Sequence, residues 1–318
     1  MKNIRLTIAV LAIFGSLIIF SLQKAMVGAG PLERSVTVDV AKGISSQSVA
    51  QLLFENDVIS SPLIFRILLK VTRAENQLKA GEYLFEAGSS MKEVLAKLVS
   101  GDVLYHRITI PEGYTVGQSF YLLSMEDMLF GEFEFVPNEG GMLPETYTYQ
   151  KGEKRDAIVR KACQAMQKKL KKIWKEREDG LPYKNMNELL IMASIIEKET
   201  AVDAERAQVA SVFVNRLRKG MKLQTDPTVI YAITDGREEL KRALTRKDLA
   251  IDSPYNTYKN YGLPPTPICN PGEASLYAAA HPDETDYLYF VASGNGGHNF
   301  ATTLADHNRN VATWKSKK

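Results

Sequence analysis

The chain opens on an unbroken apolar stretch and then divides into short segments whose hydrophobic spacing changes from one to the next. Leu6 to Leu22 carries no charge and is built mainly of Leu, Ile, Val, Ala and Phe. A run of ~17 such residues predicts a membrane-spanning helix at the short end of the usual range. Lys2 and Arg5 precede it, so the positive-inside rule keeps residues 1–5 in the cytoplasm and exports the rest. A cleaved signal peptide is the rival reading, with Val27-Gly28-Ala29 as a small-residue cleavage site. Residues 23–34 form a linker, in which Gly28 to Pro31 leads out of the membrane. Val36 to Val40 then alternates in strand fashion, and Gly43 introduces a helix over Gln47 to Glu55. A second helix opens with Ser61 as N-cap and Pro62 at its first position. A strand around Tyr83 to Phe85 follows, then a helix from the capping box Ser90-Met91-Lys92-Glu93 to Gly101. Residues 35–105 thus read as a small strand–helix–helix–strand–helix module.

The texture changes over residues 106–318, which read as a second, larger domain. Thr115 to Gln118 is another capping box, and Glu139 to Tyr149 is a loop rich in Gly, Pro and Tyr. A strongly basic helix is predicted over 155–178, its lysines forming a solvated face. The most apolar helix of this domain starts at Asn185 or Asn187 and runs through Leu189 to Ile196 as far as Glu199. Thr200 to Asp203 is predicted to cap the next helix, which ends at Gly220. Asp226-Pro227 and Asn270-Pro271 each read as an N-cap followed by a first-turn proline, and Tyr287 to Ala292 as a buried strand. Helices and short strands without repeats make the fold class α+β.

Composition narrows the chemistry. At 318 residues and 45% hydrophobic the chain can bury more than one core, and a net charge of +3 gives no reason to expect nucleic acid. Cys163 and Cys269 are far apart and read as two buried thiols. His106, His281, His298 and His307 include no zinc-helix spacing, so no metal is expected. There is no G-x-S-x-G elbow and no phosphate-binding loop, and Gly294 to Gly297 reads as a tight turn or a loop that lets a polymer come close.

What remains is the pair Glu197 and Glu199. Two residues apart on a helix, they point about 200° from each other. Glu199 continues the apolar stripe of Met192, Ile195 and Ile196, where partial burial raises a carboxyl pKa and suits a general acid. The alternative is a helix-end carboxylate bonded to a cap or to Arg206. Gln224 to Thr228, Tyr255 to Tyr258 and Thr146 to Tyr149 mix aromatic rings, amides and hydroxyls as sugar sites do, though each segment taken singly reads more readily as caps and packing.

At these residues the chain resembles the endolytic murein transglycosylases, the YceG-like family. The resemblance rests on Asp179 to Tyr183, Ile195 to Thr200, Val212 to Leu217, Leu223 to Tyr231, Tyr255 to Tyr258, Gly262 to Pro265, Ala278 to Pro282 and Gly296 to His298. A further loop, written F-P-D-T-Y in the family, reads Leu143-Pro144-Glu145-Thr146-Tyr147 here, with a longer acid. The resemblance implies a LysM-like module over 35–105 and a catalytic domain over 106–318, with Glu199 as catalytic acid/base. It also implies Gln224, Asp226, Tyr255, Asn256, Tyr258 and His298 as substrate-binding residues, with no metal and no cofactor. The implied activity cleaves peptidoglycan glycan strands between N-acetylmuramic acid and N-acetylglucosamine, leaving 1,6-anhydro ends and trimming or terminating nascent strands. Implied with it are a single-pass anchor in the inner (cytoplasmic) membrane, a periplasmic catalytic domain, and peptidoglycan synthases as candidate partners. Two other readings stay open: a non-catalytic peptidoglycan-binding scaffold of a wall-synthesis complex, and a hydrolase that uses water.

Overall fold

The computed structural model describes residues 2–316; of residues 2–12 and 18 only the backbone path is described. Helix α1 (Lys2–Val27) is continuous. The predicted span Leu6 to Leu22 falls inside it, but its side chains up to residue 12, and that of residue 18, lie outside the described part. Among the described residues no helix is long and apolar enough to cross a membrane.

The chain divides into two compact units, Met1–His106 with Tyr149–Gly152, and Arg107–Thr148 with Glu153–Lys318. In the first, β1 (Val36–Val40) pairs antiparallel with β2 (Gly81–Phe85), Val36 opposite Phe85 and Val40 opposite Gly81. Between them in sequence lie α2 (Ser46–Glu55) and α3 (Pro62–Thr72), and α4 (Met91–Ser100) follows. Alternation on β1 sends Val38 and Val40 inward, onto Leu53, Phe65, Leu69, Tyr83 and Leu98. The caps are those the sequence predicts. Ser61 accepts from the Ile64 N–H ahead of Pro62, and Ser90 and Glu93 close a reciprocal box before Gly101 ends α4 in a left-handed turn.

The second unit begins within β3 (His106–Thr109), which pairs with β5 (Thr146–Tyr149). Helix α5 (Val116–Ser124) and β4 (Leu129–Phe130) precede β5, and β6 (Glu153–Lys154) pairs parallel with β4. Then come α6 (Arg155–Glu176), α7 (Met186–Glu199), α8 (Arg206–Arg218), α9 (Asp226–Thr234) and α10 (Glu273–Ala280). The antiparallel hairpin of β7 (Tyr289–Ala292) and β8 (His298–Ala301) leads into α11 (Leu304–Ser316). Helix α7 is the centre of this unit: every residue from Leu189 to Ile196 is buried, and α6, α8, α9 and α10 pack around it. A helix apolar on all sides has no stable place except inside. The small residues Ala278, Ala279 and Ala280 let α10 lie close against it. The exposed lysines of α6 form the expected solvated face, while Cys163 and Cys269 are free and buried.

Three expected caps are placed differently, each for a traceable reason. Thr200 does not cap α8; its hydroxyl accepts from the Val202 N–H at 3.0 Å, and a short 3-10 turn at Asp203–Glu205 intervenes. Helix α9 has Thr225 as its N-cap, so Asp226 and Pro227 lie inside its first turn. Asn270 stands two residues before the N-cap Gly272 of α10. Its amide instead donates to the Tyr114 carbonyl at 2.9 Å and its oxygen accepts from the Met142 N–H at 3.0 Å.

Ser194 is a buried polar residue on α7 that joins it to the loop before α10. Its Oγ donates to the Ile191 carbonyl at 2.7 Å and accepts from the Ile268 N–H at 3.0 Å. Ser194→Ala removes the hydroxyl at nearly constant volume and strands that N–H, so a loss of about 1–3 kcal/mol is expected. In urea unfolding the midpoint should fall with the slope unchanged.

Candidate active site

Helix α7 ends at Glu199 because Thr200 turns to an extended backbone. The half-buried carboxyl projects into a cavity of about 360 Å³. The cavity takes Phe213 and Arg216 from α8, Gln224 and Asp226 from the start of α9, and Tyr258 from the following loop. Tyr289 and Phe290 of β7 and Leu304 and His307 of α11 complete it. Burial pushes the Glu199 carboxyl up to about 7, and the nearby Asp226 charge adds to the rise. The Thr225 hydroxyl, which donates to Oε1, and the His298 and Arg216 side chains pull it part of the way back.

That hydroxyl is where the cap of α9 has gone. Thr225 makes no side-chain capping bond because its Oγ1 is turned to Glu199. A threonine cluster holds it there. The Thr225 N–H donates to Thr257 Oγ1 at 3.0 Å, Thr228 Oγ1 donates to the Thr225 carbonyl at 2.8 Å, and Thr228 and Thr257 share a 2.8 Å bond. Gln224, just before, has a left-handed backbone (φ 49°), unusual for a residue with a Cβ, and its exposed side chain lines the cavity. Tyr258 donates to Asp226 Oδ1 at 2.6 Å, and burial, with Asp226, raises the pKa of its hydroxyl.

Arg216 braces the site from below. Its Nε donates to the Leu288 carbonyl and one Nη to the Leu223 carbonyl, each at 2.7 Å. The guanidinium lies 5.2 Å from the centroid of the Tyr289 ring. One buried cation thus ties the hairpin to the loop carrying Gln224 and faces Glu199.

Residues 38–313 match the YceG-like family as a whole. The chain belongs to that family. An endolytic murein transglycosylase of Bacillus subtilis is 35% identical over 89% of this chain and 86% of its own. A protein of the same name from Streptococcus pneumoniae is 29% identical over 90% of this chain, which spans 59% of that longer relative. A crystal structure of a putative YceG-like protein from Listeria monocytogenes is 33% identical, with a TM-score of 0.52 over 87% of this chain and 99% of that one.

In this YceG-like chain, Glu199, Gln224, Asp226 and Tyr258 stand around one cavity. Three other residues singled out from the sequence stand elsewhere. Asn256 is fully buried, its amide donating to the Leu249 and Ile251 carbonyls and its oxygen accepting from the Tyr258 N–H. Tyr255 donates to or accepts from Thr266 at 2.7 Å and packs on Tyr231, away from the cavity lining. His298 adjoins the site through Phe290, its ring edge-on at 5.3 Å, and is gripped by Glu205. The tyrosines of Thr146 to Tyr149 are buried strand residues, with Tyr147 donating to the Leu143 carbonyl. Glu145 is exposed and does not line the cavity. Glu197 points away from the cavity, and its Oε2 accepts the N–H of Gly272, the N-cap of α10, at 2.9 Å. Thr225 enters the sequence reading only as one hydroxyl of Gln224 to Thr228, Arg216 only within Val212 to Leu217 and His307 only as a histidine without a zinc-helix partner, since nothing local marks a residue as facing a carboxyl far along the chain.

The raised pKa has a thermodynamic consequence. Folded Glu199 holds its proton to higher pH than the unfolded chain does. Its contribution to stability is therefore full below the ordinary carboxylate range and is lost as pH rises through about 7. Glu199→Gln escapes that loss. At about pH 8 the variant should unfold at a higher temperature than wild type, by the equivalent of about 1–2 kcal/mol once partial solvent contact is allowed for. The gap should close toward about pH 5, and a gap of constant size would show that the carboxyl is not desolvated.

Proposed function

We propose that this protein is an endolytic lytic transglycosylase of peptidoglycan, with Glu199 as its one acid/base. The observation that carries the reading is a half-buried carboxyl opening onto a cavity lined by aromatic rings and hydrogen-bonding groups, where burial pushes its pKa up to about 7. Near neutral pH such a group both gives and takes a proton readily. The names of the Bacillus and Streptococcus relatives support the substrate class.

The proposed reaction needs no water. Glu199 protonates the oxygen linking N-acetylmuramic acid to N-acetylglucosamine, and the bond from that oxygen to C1 breaks with charge developing on the muramoyl ring. Glu199, now a carboxylate, accepts the proton of the muramoyl C6 hydroxyl as that oxygen bonds to C1. The products are a free N-acetylglucosamine hydroxyl and a 1,6-anhydro ring, and Glu199 ends with its proton restored. Gln224, Asp226 and Tyr258 supply donors and acceptors for sugar hydroxyls, and Tyr289 and Phe290 supply faces for the pyranose rings. A second reading is favoured by one observation: Asp226 also faces the cavity, and ordinary glycosidases use two carboxylates. A hydrolase would leave reducing ends instead.

The same reading places the reaction at the outer face of the cytoplasmic membrane, with the uncharged run Leu6 to Leu22 as anchor and residues 35–105 as a LysM-like module. The β–α–α–β order of that module supports the second assignment. Trimming or termination of nascent strands beside peptidoglycan synthases is the role that such an enzyme would have. If the anchor is retained, the full-length protein fractionates with membranes and keeps its native N-terminus. A mature chain beginning near Gly30 would refute anchoring.

The decisive measurement is release of 1,6-anhydromuropeptides from purified sacculi, read by mass. Glu199→Gln should lose about 10³-fold or more, because general acid–base groups contribute ~10²–10⁴-fold and one group serves both steps. Glu197→Gln should keep most activity, since an amide oxygen still accepts from the Gly272 N–H. Near wild-type production by Glu199→Gln would move the acid elsewhere. Reducing ends from wild type would identify a hydrolase, and glycan binding without cleavage a scaffold.

A further inference from the structure

Beside the cavity another carboxylate is fully engaged, by a single residue. Glu205 ends the 3-10 turn that follows α7, and both its oxygens are spent on one residue, His298. Oε1 accepts the His298 backbone N–H at 3.0 Å, and Oε2 lies 2.8 Å from ring Nδ1. The side chains are about four-fifths buried, 20% exposed for Glu205 and 17% for His298. Gly297 makes room for this grip, because a Cβ there would come within 2.3 Å of Glu205 Oε1. Its backbone is not in the left-handed region, so the glycine serves the approach of the carboxylate and not a turn.

A carboxylate has only acceptor oxygens, so the ring nitrogen facing it carries the hydrogen. In a neutral imidazole the other nitrogen is then an acceptor. That nitrogen, Nε2, is left to meet a ligand. One observation connects His298 to the cavity: its ring lies edge-on to Phe290, at 5.3 Å between centroids, and Phe290 lines the cavity. We propose that Glu205 is a positioning residue: it fixes His298 as the Nδ1–H tautomer, so that Nε2 accepts a hydrogen bond from a hydroxyl or acetamido N–H of the glycan beside Glu199. The proposal rests on the glycan-cleaving reading for its substrate, and not for its tautomer.

Glu205→Gln separates positioning from simple support. The amide oxygen can still take the backbone N–H, but the NH₂ group then faces Nδ1 as a donor and forces the hydrogen to Nε2. Imidazole nitrogen NMR on the full-length protein, with the His298 signal assigned from its absence in His298→Gln, reads the tautomer without turnover. Wild type should show Nδ1–H and Glu205→Gln Nε2–H, with a fold and melting temperature close to wild type. In the sacculus assay kcat/KM should fall roughly 10-fold in Glu205→Gln, the size of one lost hydrogen bond. His298→Gln should fall similarly, and the double variant no further than either alone. Gly297→Ala is a second route if Glu205→Gln folds poorly, because its methyl displaces the carboxylate and should reproduce the tautomer change. A wild-type Nε2–H ring overturns the proposal, as does a switched tautomer with unchanged kcat/KM. Failure of the cleavage reading has a different signature, an active Glu199→Gln variant, which leaves the NMR result untouched.

Discussion

The site depends on one constraint: α7 is taken out of water along its whole apolar length. A helix buried on every side can present a polar group to solvent only at its ends, and at its C-terminus stand two carboxylates two residues apart. Helical geometry sends them to opposite sides. Glu197 meets the start of α10, where an unpaired backbone N–H and the positive end of a helix dipole make a ready partner for a carboxylate. Glu199 meets a cavity and one threonine hydroxyl, and among the described residues no cation is bonded to it. The same burial that stabilises the domain therefore makes one carboxyl structural and the other chemically available.

Much of the frame was legible because it depends on neighbours in sequence. Ser61 before Pro62, the Ser90–Glu93 box and the Thr115–Gln118 box all formed as spacing required. The apolar run ending at Glu199 identified the central helix and which glutamate continued its buried stripe. What local pattern could not supply was the use to which each polar side chain is put. Asn256 has the composition of a sugar ligand, yet its whole amide is consumed in folding its own loop. Asn270 has the sequence of an N-cap but bonds instead to Tyr114 and Met142, segments more than a hundred positions away. Thr225 looked like one hydroxyl among several, and its assignment to Glu199 depends on Thr257 and Thr228 filling the space around it. Such choices are decided by tertiary partners, which no window of sequence contains.

The hydroxyl cluster of Thr225, Thr228 and Thr257 has a further physical role. Each member bonds to another or to a backbone carbonyl, so the group is satisfied without water and has little freedom to rotate. The donor facing Glu199 is therefore oriented before any ligand arrives. Preorganised dipoles of this kind cost no rearrangement when charge moves, which is the condition under which they act most strongly on a proton transfer.

The position of α11 in the chain has a consequence for the order of synthesis. Leu304 and His307 form part of the wall of the cavity, about a hundred residues after the glutamate they face. Glu199 is made early, but its cavity is incomplete until β7 and α11, about a hundred residues later, have packed back against the region of α8. Closing such a loop is entropically slow. A chain made only as far as β8 would thus carry the glutamate without the full enclosure that takes it out of water.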